Sequence, residues 1–142
     1  MLLVDLDNIY IINYKPDLDT LKKRLKRIQK LDTDIRYFGN EFTNNYIKTN
    51  KIPIKVKVSK YTGKDASDHE LIHYGFKKPK CKILTNDKTL QKLSYFIYKQ
   101  IPDFYEFASD HKLKKVRVDL CLNSKEMLGS IIKSYELYKT RF

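Results

Sequence analysis

The chain has 142 residues, 42% hydrophobic and 32% charged, with 4 Gly, 4 Pro and 2 Cys, so a disordered chain, a collagen-like repeat and a disulfide scaffold are all poor descriptions of it. No apolar run approaches the roughly 18 residues of a membrane span, and Met1-Leu2-Leu3-Val4-Asp5 lacks the basic region and long apolar stretch of a signal peptide, so a cytoplasmic protein with no membrane partner is expected. A net charge of +12, from 29 Lys and Arg against 17 Asp and Glu, makes nucleic acid the first partner to consider.

The length fits one domain over residues 1–142. Leu2-Leu3-Val4 followed by Asp5 reads as a central parallel strand, apolar on both faces. After Pro16, a favourable first-turn residue, Leu18, Leu21, Leu25, Ile28 and Leu31 recur at helical spacing. Lys22, Lys23, Lys26, Arg27 and Lys30 fill the other side of that helix and read as a solvated face. Ile35 to Phe38, ending at Gly39-Asn40, reads as a second strand, and Ile52 to Val58, with Pro53 and alternating lysines, as an edge strand. Ser67 or Asp65 can cap a helix running through Leu71, Ile72 and Tyr74 to Gly75. Cys81 to Thr85 is a fourth strand, followed by a turn at Asn86-Asp87 and a helix carrying Leu90, Leu93, Phe96 and Ile97. Pro102 closes that helix, Phe104 to Phe107 and Val116 to Leu122 are strand-like, and a last helix carries Met127, Leu128, Ile131, Ile132, Tyr135 and Tyr138. Strands alternating with helices imply an α/β fold, a mainly parallel sheet flanked by helices, with ligands gathering outside the carboxyl ends of the strands. Cys81 and Cys121 lack any C-x-x-C spacing and read as reduced core residues.

On that scheme the aspartates fall at strand ends. Asp5, with Asp7 and Asn8, follows the first strand; Asp65 and Asp68 open the helix after the third; Asp87 follows the fourth. In a parallel sheet these groups meet at one edge, where carboxylates repel each other unless a cation is held among them. Oxygen donors alone favour Mg²⁺ or Mn²⁺, which can neutralise a phosphodiester and activate water.

Leu3-Val4-Asp5-Leu6-Asp7-Asn8, Gly63-Lys64-Asp65-Ala66-Ser67-Asp68-His69-Glu70-Leu71 and Ile83-Leu84-Thr85-Asn86-Asp87-Lys88-Thr89-Leu90 resemble the three successive acidic motifs of the PIN-like nucleases, and most of all their NYN branch. The resemblance spans roughly residues 2 to 93. It implies a PIN-like three-layer fold and metal-dependent cleavage of RNA, or sometimes DNA, with Mg²⁺ or Mn²⁺. It makes Asp5, Asp68 and Asp87 the catalytic metal-binding acids, with Asp65 a helper and Asn8, Asp7 and Thr85 orienting them. Lys60, Lys64, Lys88 and Lys92 would grip the phosphates of single-stranded RNA, and exposed Tyr and Phe rings would stack on its bases. Many NYN domains carry a further acid where Leu90 stands here; Asp7 or Asp110 could supply it.

Three other readings stay open. His69-Glu70-Leu71-Ile72-His73 spells the H-E-x-x-H of zinc proteases, whose third ligand would come from Glu106, Asp110 or His111. The opening Asp5-Leu6-Asp7 also looks like haloacid-dehalogenase phosphatases, with Asp119 the one candidate for their late acid. Finally, the fold could bind RNA without cutting it. The sequence leaves the oligomeric state open, a homodimer included.

Overall fold

A strand whose side chains are buried on both faces has to lie inside a sheet with cover on both sides. Leu2, Leu3 and Val4 are all fully buried, and in the computed structural model, which describes residues 1–59, 66–77, 80–88, 90–91 and 103–117, β1 (Leu2–Asp5) occupies that place. It pairs in parallel with β4 (Ile35–Gly39) on one side and β6 (Lys82–Leu84) on the other. Beyond β4 lies β5 (Val56–Val58); beyond β6 lie β7 (Asp103–Phe107) and the antiparallel β8 (Leu113–Val116). The fold is thus α/β, with a six-stranded, mostly parallel sheet in the order β5-β4-β1-β6-β7-β8 and helices on both faces.

The chain moves outward from β1 to β4 and β5, then returns across β1 to β6. That reversal changes the face on which the connecting helices lie. On one face, α1 (Asp7–Tyr10), α2 (Leu18–Gln29) and α3 (Glu41–Thr49) bury Ile9, Tyr10, Leu21, Leu25, Ile28 and Ile47 against Leu2, Val4, Tyr37 and Leu84. On the other, α4 (Ala66–Lys77) packs Leu71 against Leu3, Phe38, Ile83 and Phe104. Strand alternation assigns the two core sets: even-numbered β1 residues serve the first, Leu3 the second.

The structure revises several expectations. Pro16 lies not in the first turn of α2 but in β3 (Lys15–Pro16), which pairs with β2 (Ile11–Ile12) across Asn13 and Tyr14. Both turn residues have positive φ, as a tight two-residue hairpin requires. Asp17 is the cap of α2, its carboxylate accepting from the Thr20 N–H at 2.9 Å. Only Val56–Val58 of the expected 52–58 strand pairs with β4, and the Ile54 N–H turns back to Ile52 O at 2.9 Å instead of joining the sheet. Ile52 instead donates to Ile47 O at 3.0 Å and finishes the end of α3. Gly75 does not stop α4, which runs on to Lys77. The last described strand, Leu113–Val116, begins three residues before the expected 116–122 strand, of which residues 118–122 lie outside the described residues. Leu93 to Ile97, Cys121 and the C-terminal helix lie outside the described residues. Among the described residues no helix is long and apolar enough to cross a membrane.

Gly39 ends β4 where α3, β5 and α1 close in together. A Cβ there would stand 3.0 Å from Asp7 Oδ1 and Thr43 Cγ2 and 3.1 Å from Val56 Cγ1. Gly39→Ala is therefore expected to lower stability by about 1–3 kcal/mol through overpacking. Urea unfolding measures it, and an unchanged midpoint would show that Asp7 and Thr43 move aside freely.

Candidate functional site

In an open α/β sheet the ligand crevice lies outside the carboxyl ends of the strands, where the strand order reverses. Here that point falls between β1 and β6, which deliver Asp5 and Thr85 side by side. Asp5 shares the parity of Leu3 and Thr85 that of Ile83, so both belong to the α4 face. The Thr85 hydroxyl donates to Asp5 Oδ2 at 2.7 Å and accepts the Asp87 N–H at 3.0 Å, joining the two acid-bearing segments through one oxygen. Asn8, in α1, donates Nδ2 to the same Asp5 Oδ2 at 2.6 Å. Among the described residues, both donors fall on Oδ2, and no lysine or arginine pairs with Asp5.

The loop after β6 is braced on every side. Asn86 donates Nδ2 to Phe107 O and accepts the Phe107 N–H on Oδ1, each at 2.8 Å, so its amide extends the pairing of β6 with β7. Gln91 donates Nε2 to Thr85 O at 3.0 Å. Asp87 accepts the Leu90 N–H on Oδ1 at 3.3 Å and so also caps the helical turn that opens at Lys88. Asp87 serves the local structure and sits within electrostatic reach of Asp5.

Asp7 has a different task. Its oxygens accept the Asn40 N–H, the Thr43 hydroxyl and, at 3.1 Å, the Ser67 hydroxyl. Because Thr43 gives its one hydroxyl proton to Asp7, Tyr10 donates to Thr43 at 2.9 Å. Asp7 therefore ties the start of α3 to the first turn of α4, and Asp68, half-buried, is the residue after Ser67. Ser67 lies within α4 and spends its hydroxyl on Asp7 instead of capping the helix. The segments bearing Asp5, Asp68 and Asp87 thus reach the same edge of the sheet. Among the described residues, however, no group of three His, Cys, Asp or Glu side chains is arranged to enclose a metal ion.

Other sequence candidates are dispersed. Asp110 sits in the β7–β8 turn, accepting the Lys112 N–H at 3.1 Å. His111 in the same turn accepts Arg24 Nε on Nδ1 at 3.0 Å, which places it with α2, on the face opposite α4. Glu106 is buried between Lys88 and Lys114, whose ammonium nitrogens lie 2.6 and 3.2 Å away. Burial pushes the Glu106 carboxyl up, but these two lysines outweigh it and hold it below the usual range. The Lys88 charge is thereby committed to Glu106. Glu70, buried in α4, has Oε1 3.6 Å from Lys57 Nζ, while its Oε2 has no hydrogen-bond partner among the described residues. Asp65, Lys60, Lys64, Lys92 and Asp119 lie outside the described residues, and the side chains of His69 and His73 do too. Sequence reasoning missed Asn86, Thr43 and Arg24, whose partners lie 21, 36 and 87 residues away, and Gln91, which bonds back to Thr85 over 6 residues.

Asp5 is 1% exposed, and burial raises its carboxyl from 3.8 to about 7. The Thr85 and Asn8 hydrogen bonds lower it, and the charges of Asp7 and Asp87 raise it further. From about pH 4 to about pH 7, the folded chain keeps a proton at Asp5 that the unfolded chain has released. Metal-free protein should then lose stability as pH rises through this window, with the loss complete above it. Urea unfolding across the range in EDTA should show this slope in wild type and not in Asp5→Asn; parallel curves would mean that Asp5 ionises normally. No family model, no curated protein and no solved structure matches this chain, so its site is read from its own residues.

Proposed function

We propose that this chain is a metal-dependent endoribonuclease, hydrolysing phosphodiester bonds of single-stranded RNA at the carboxyl edge of its sheet. One observation carries the reading: a buried carboxyl at the strand-order reversal, held through one oxygen, next to a second acid and without a described cationic partner. A group in that state is stabilised by a cation supplied from outside. The donor set is oxygen only and suits Mg²⁺ or Mn²⁺. Asp5, Asp68 and Asp87 would hold the ion, with Asp65 a further candidate. Mg²⁺ commonly rests on one or two carboxylates, with waters and substrate phosphates completing its shell.

When bound, such an ion would neutralise phosphate charge and lower the pKa of water. The chain's own residues do the positioning. Thr85 and Asn8 fix Asp5 Oδ2 and leave Oδ1 to the ion; Asp7 sets the first turn of α4, and with it Asp68. Tyr14, fully exposed at the tip of the β2–β3 hairpin, and Phe42, exposed in the first turn of α3, offer rings to unpaired bases. A cytoplasmic location, expected from the sequence, suits RNA as substrate.

Purified protein should cleave labelled single-stranded RNA with Mn²⁺ and not with EDTA. Asp5→Asn and Asp87→Asn should reduce the rate at least about a hundredfold, the scale on which loss of one electrostatic stabiliser acts. Mn²⁺ should also raise the melting temperature of wild type and leave that of Asp5→Asn unchanged. Cleavage that persists in both variants would remove the assignment. Tyr14→Ala should weaken RNA binding by about 1–3 kcal/mol without changing stability, which fluorescence anisotropy and thermal unfolding would report separately.

A further inference from the structure

A groove of about 560 Å³ lies between α2 and the start of β8, lined by Lys23, Lys26, Arg27, Lys30, His111 and Leu113. None of its lining residues is acidic. Lys23 is engaged by Asp19 at 2.9 Å, and Asp110, next to His111, is drawn to Lys112 at 3.9 Å. Among the described residues, no carboxylate pairs with Lys26, Arg27 or Lys30. A second groove of about 300 Å³ on the other flank of α2 shares Lys26 and adds Lys22 and Lys51.

The cations carry a structural penalty. Lys22, Lys26 and Lys30, and likewise Lys23 and Arg27, stand one turn apart, where like charges weaken a helix. The wall opposite is held firmly. Arg24, buried in α2, donates Nη1 to Ile9 O at 2.7 Å and Nε to His111 Nδ1 at 3.0 Å, with its guanidinium 4.9 Å from the centre of the Phe107 ring. Since Nδ1 accepts, the remaining ring N–H of His111 is on Nε2 and is a donor.

We propose that this groove binds the phosphodiester backbone of a nucleic acid, with Lys26, Arg27 and Lys30 on its phosphates. A concave groove suits a strand better than a flat bilayer, and the exposed side of α2 presents cations without the large apolar residues that anchor a helix in lipid. Cations repeating at each turn match a chain that repeats its own charge, and the net charge of +12 favours the same partner. The β7–β8 turn places His111, one of the lining residues, beyond the carboxyl end of β7, the same end of the parallel strands at which Asp5 lies. The site stands on shape and charge and does not depend on cleavage.

The test compares wild type, K26E/R27E/K30E and a control of equal charge change, K48E/K55E/K80E, all at exposed positions. Binding of a short labelled single-stranded RNA is followed by anisotropy in EDTA over a salt series, after thermal unfolding verifies each fold. The groove variant should bind at least about tenfold more weakly, and its slope of log K against log salt should fall by about 2, the share of three phosphate contacts. The control should keep most of the affinity and slope. Equal losses in both variants, no RNA binding by wild type, or equally strong groove-dependent binding of polyglutamate or of phosphatidylserine vesicles would each overturn the proposal. Groove-dependent binding by a protein that cuts nothing would uphold this site and remove the ribonuclease reading; cleavage with groove-independent binding would do the reverse.

Discussion

The constraint on which this edge of the molecule depends is a carboxyl group that the fold buries and does not neutralise. Asp5 ends the most deeply buried strand of the sheet, so it cannot swing into water, and its ionised form lacks a described cation partner. Two neutral donors hold it, Asn8 from 3 residues further along the chain and Thr85 from 80 residues further. Neither brings charge. Their hydrogen bonds lower the pKa, but burial outweighs them and leaves it raised to about 7, so that a cation reaching the open oxygen is favoured.

The absence of a cation partner among the described residues is itself a product of packing. Register places Lys57 and Asp5 on either side of Phe38, roughly 10 Å apart by strand spacing. Lys57 turns away: its ammonium lies 5.2 and 5.9 Å from the Tyr74 and Phe38 ring centres and 3.6 Å from Glu70. On the other flank, Glu106 occupies both Lys88 and Lys114. Among the described residues, two glutamates thus hold the ammonium groups of Lys57, Lys88 and Lys114.

How much of this was legible in the sequence follows from the range of each interaction. β1 was readable because a wholly apolar run before an acid fits only a central strand, and α2 because five apolar residues keep a 3.6-residue period. α3 was not. Its sequence, rich in Asn and Thr, has weak helix propensity, and it depends on the Asn40 cap and on Asp7, which is 33 residues earlier. The alternation from Ile52 to Val58 reported facing correctly, since Ile52, Ile54, Val56 and Val58 all meet the same core, but facing is not pairing. At the site, the positions of Asp5, Thr85 and Asp87 at strand ends were visible, whereas the Ser67 to Asp7 bond spans 60 residues and the Arg24 to His111 bond spans 87. No local pattern encodes such contacts.

Two carboxylates two residues apart show how position alone divides labour. Asp7 lies just past the strand, on the side of α3, and meets three hydrogen-bond donors, two from the start of α3 and one from α4; its charge is spent in holding these segments together. Asp5 lies within the strand, on the side of α4, and meets two donors on one oxygen. Exchanging their surroundings would exchange their roles, because the side chains are identical. What separates an anchoring acid from a candidate reacting acid here is the alternation of β1 and the turn that follows it, and both are set before any ligand arrives. The cationic ridge of α2, on the other side of the sheet, completes the division: among the described residues Asp5 has no lysine partner, while Lys26, Arg27 and Lys30 gather where a polyanion can be held away from it.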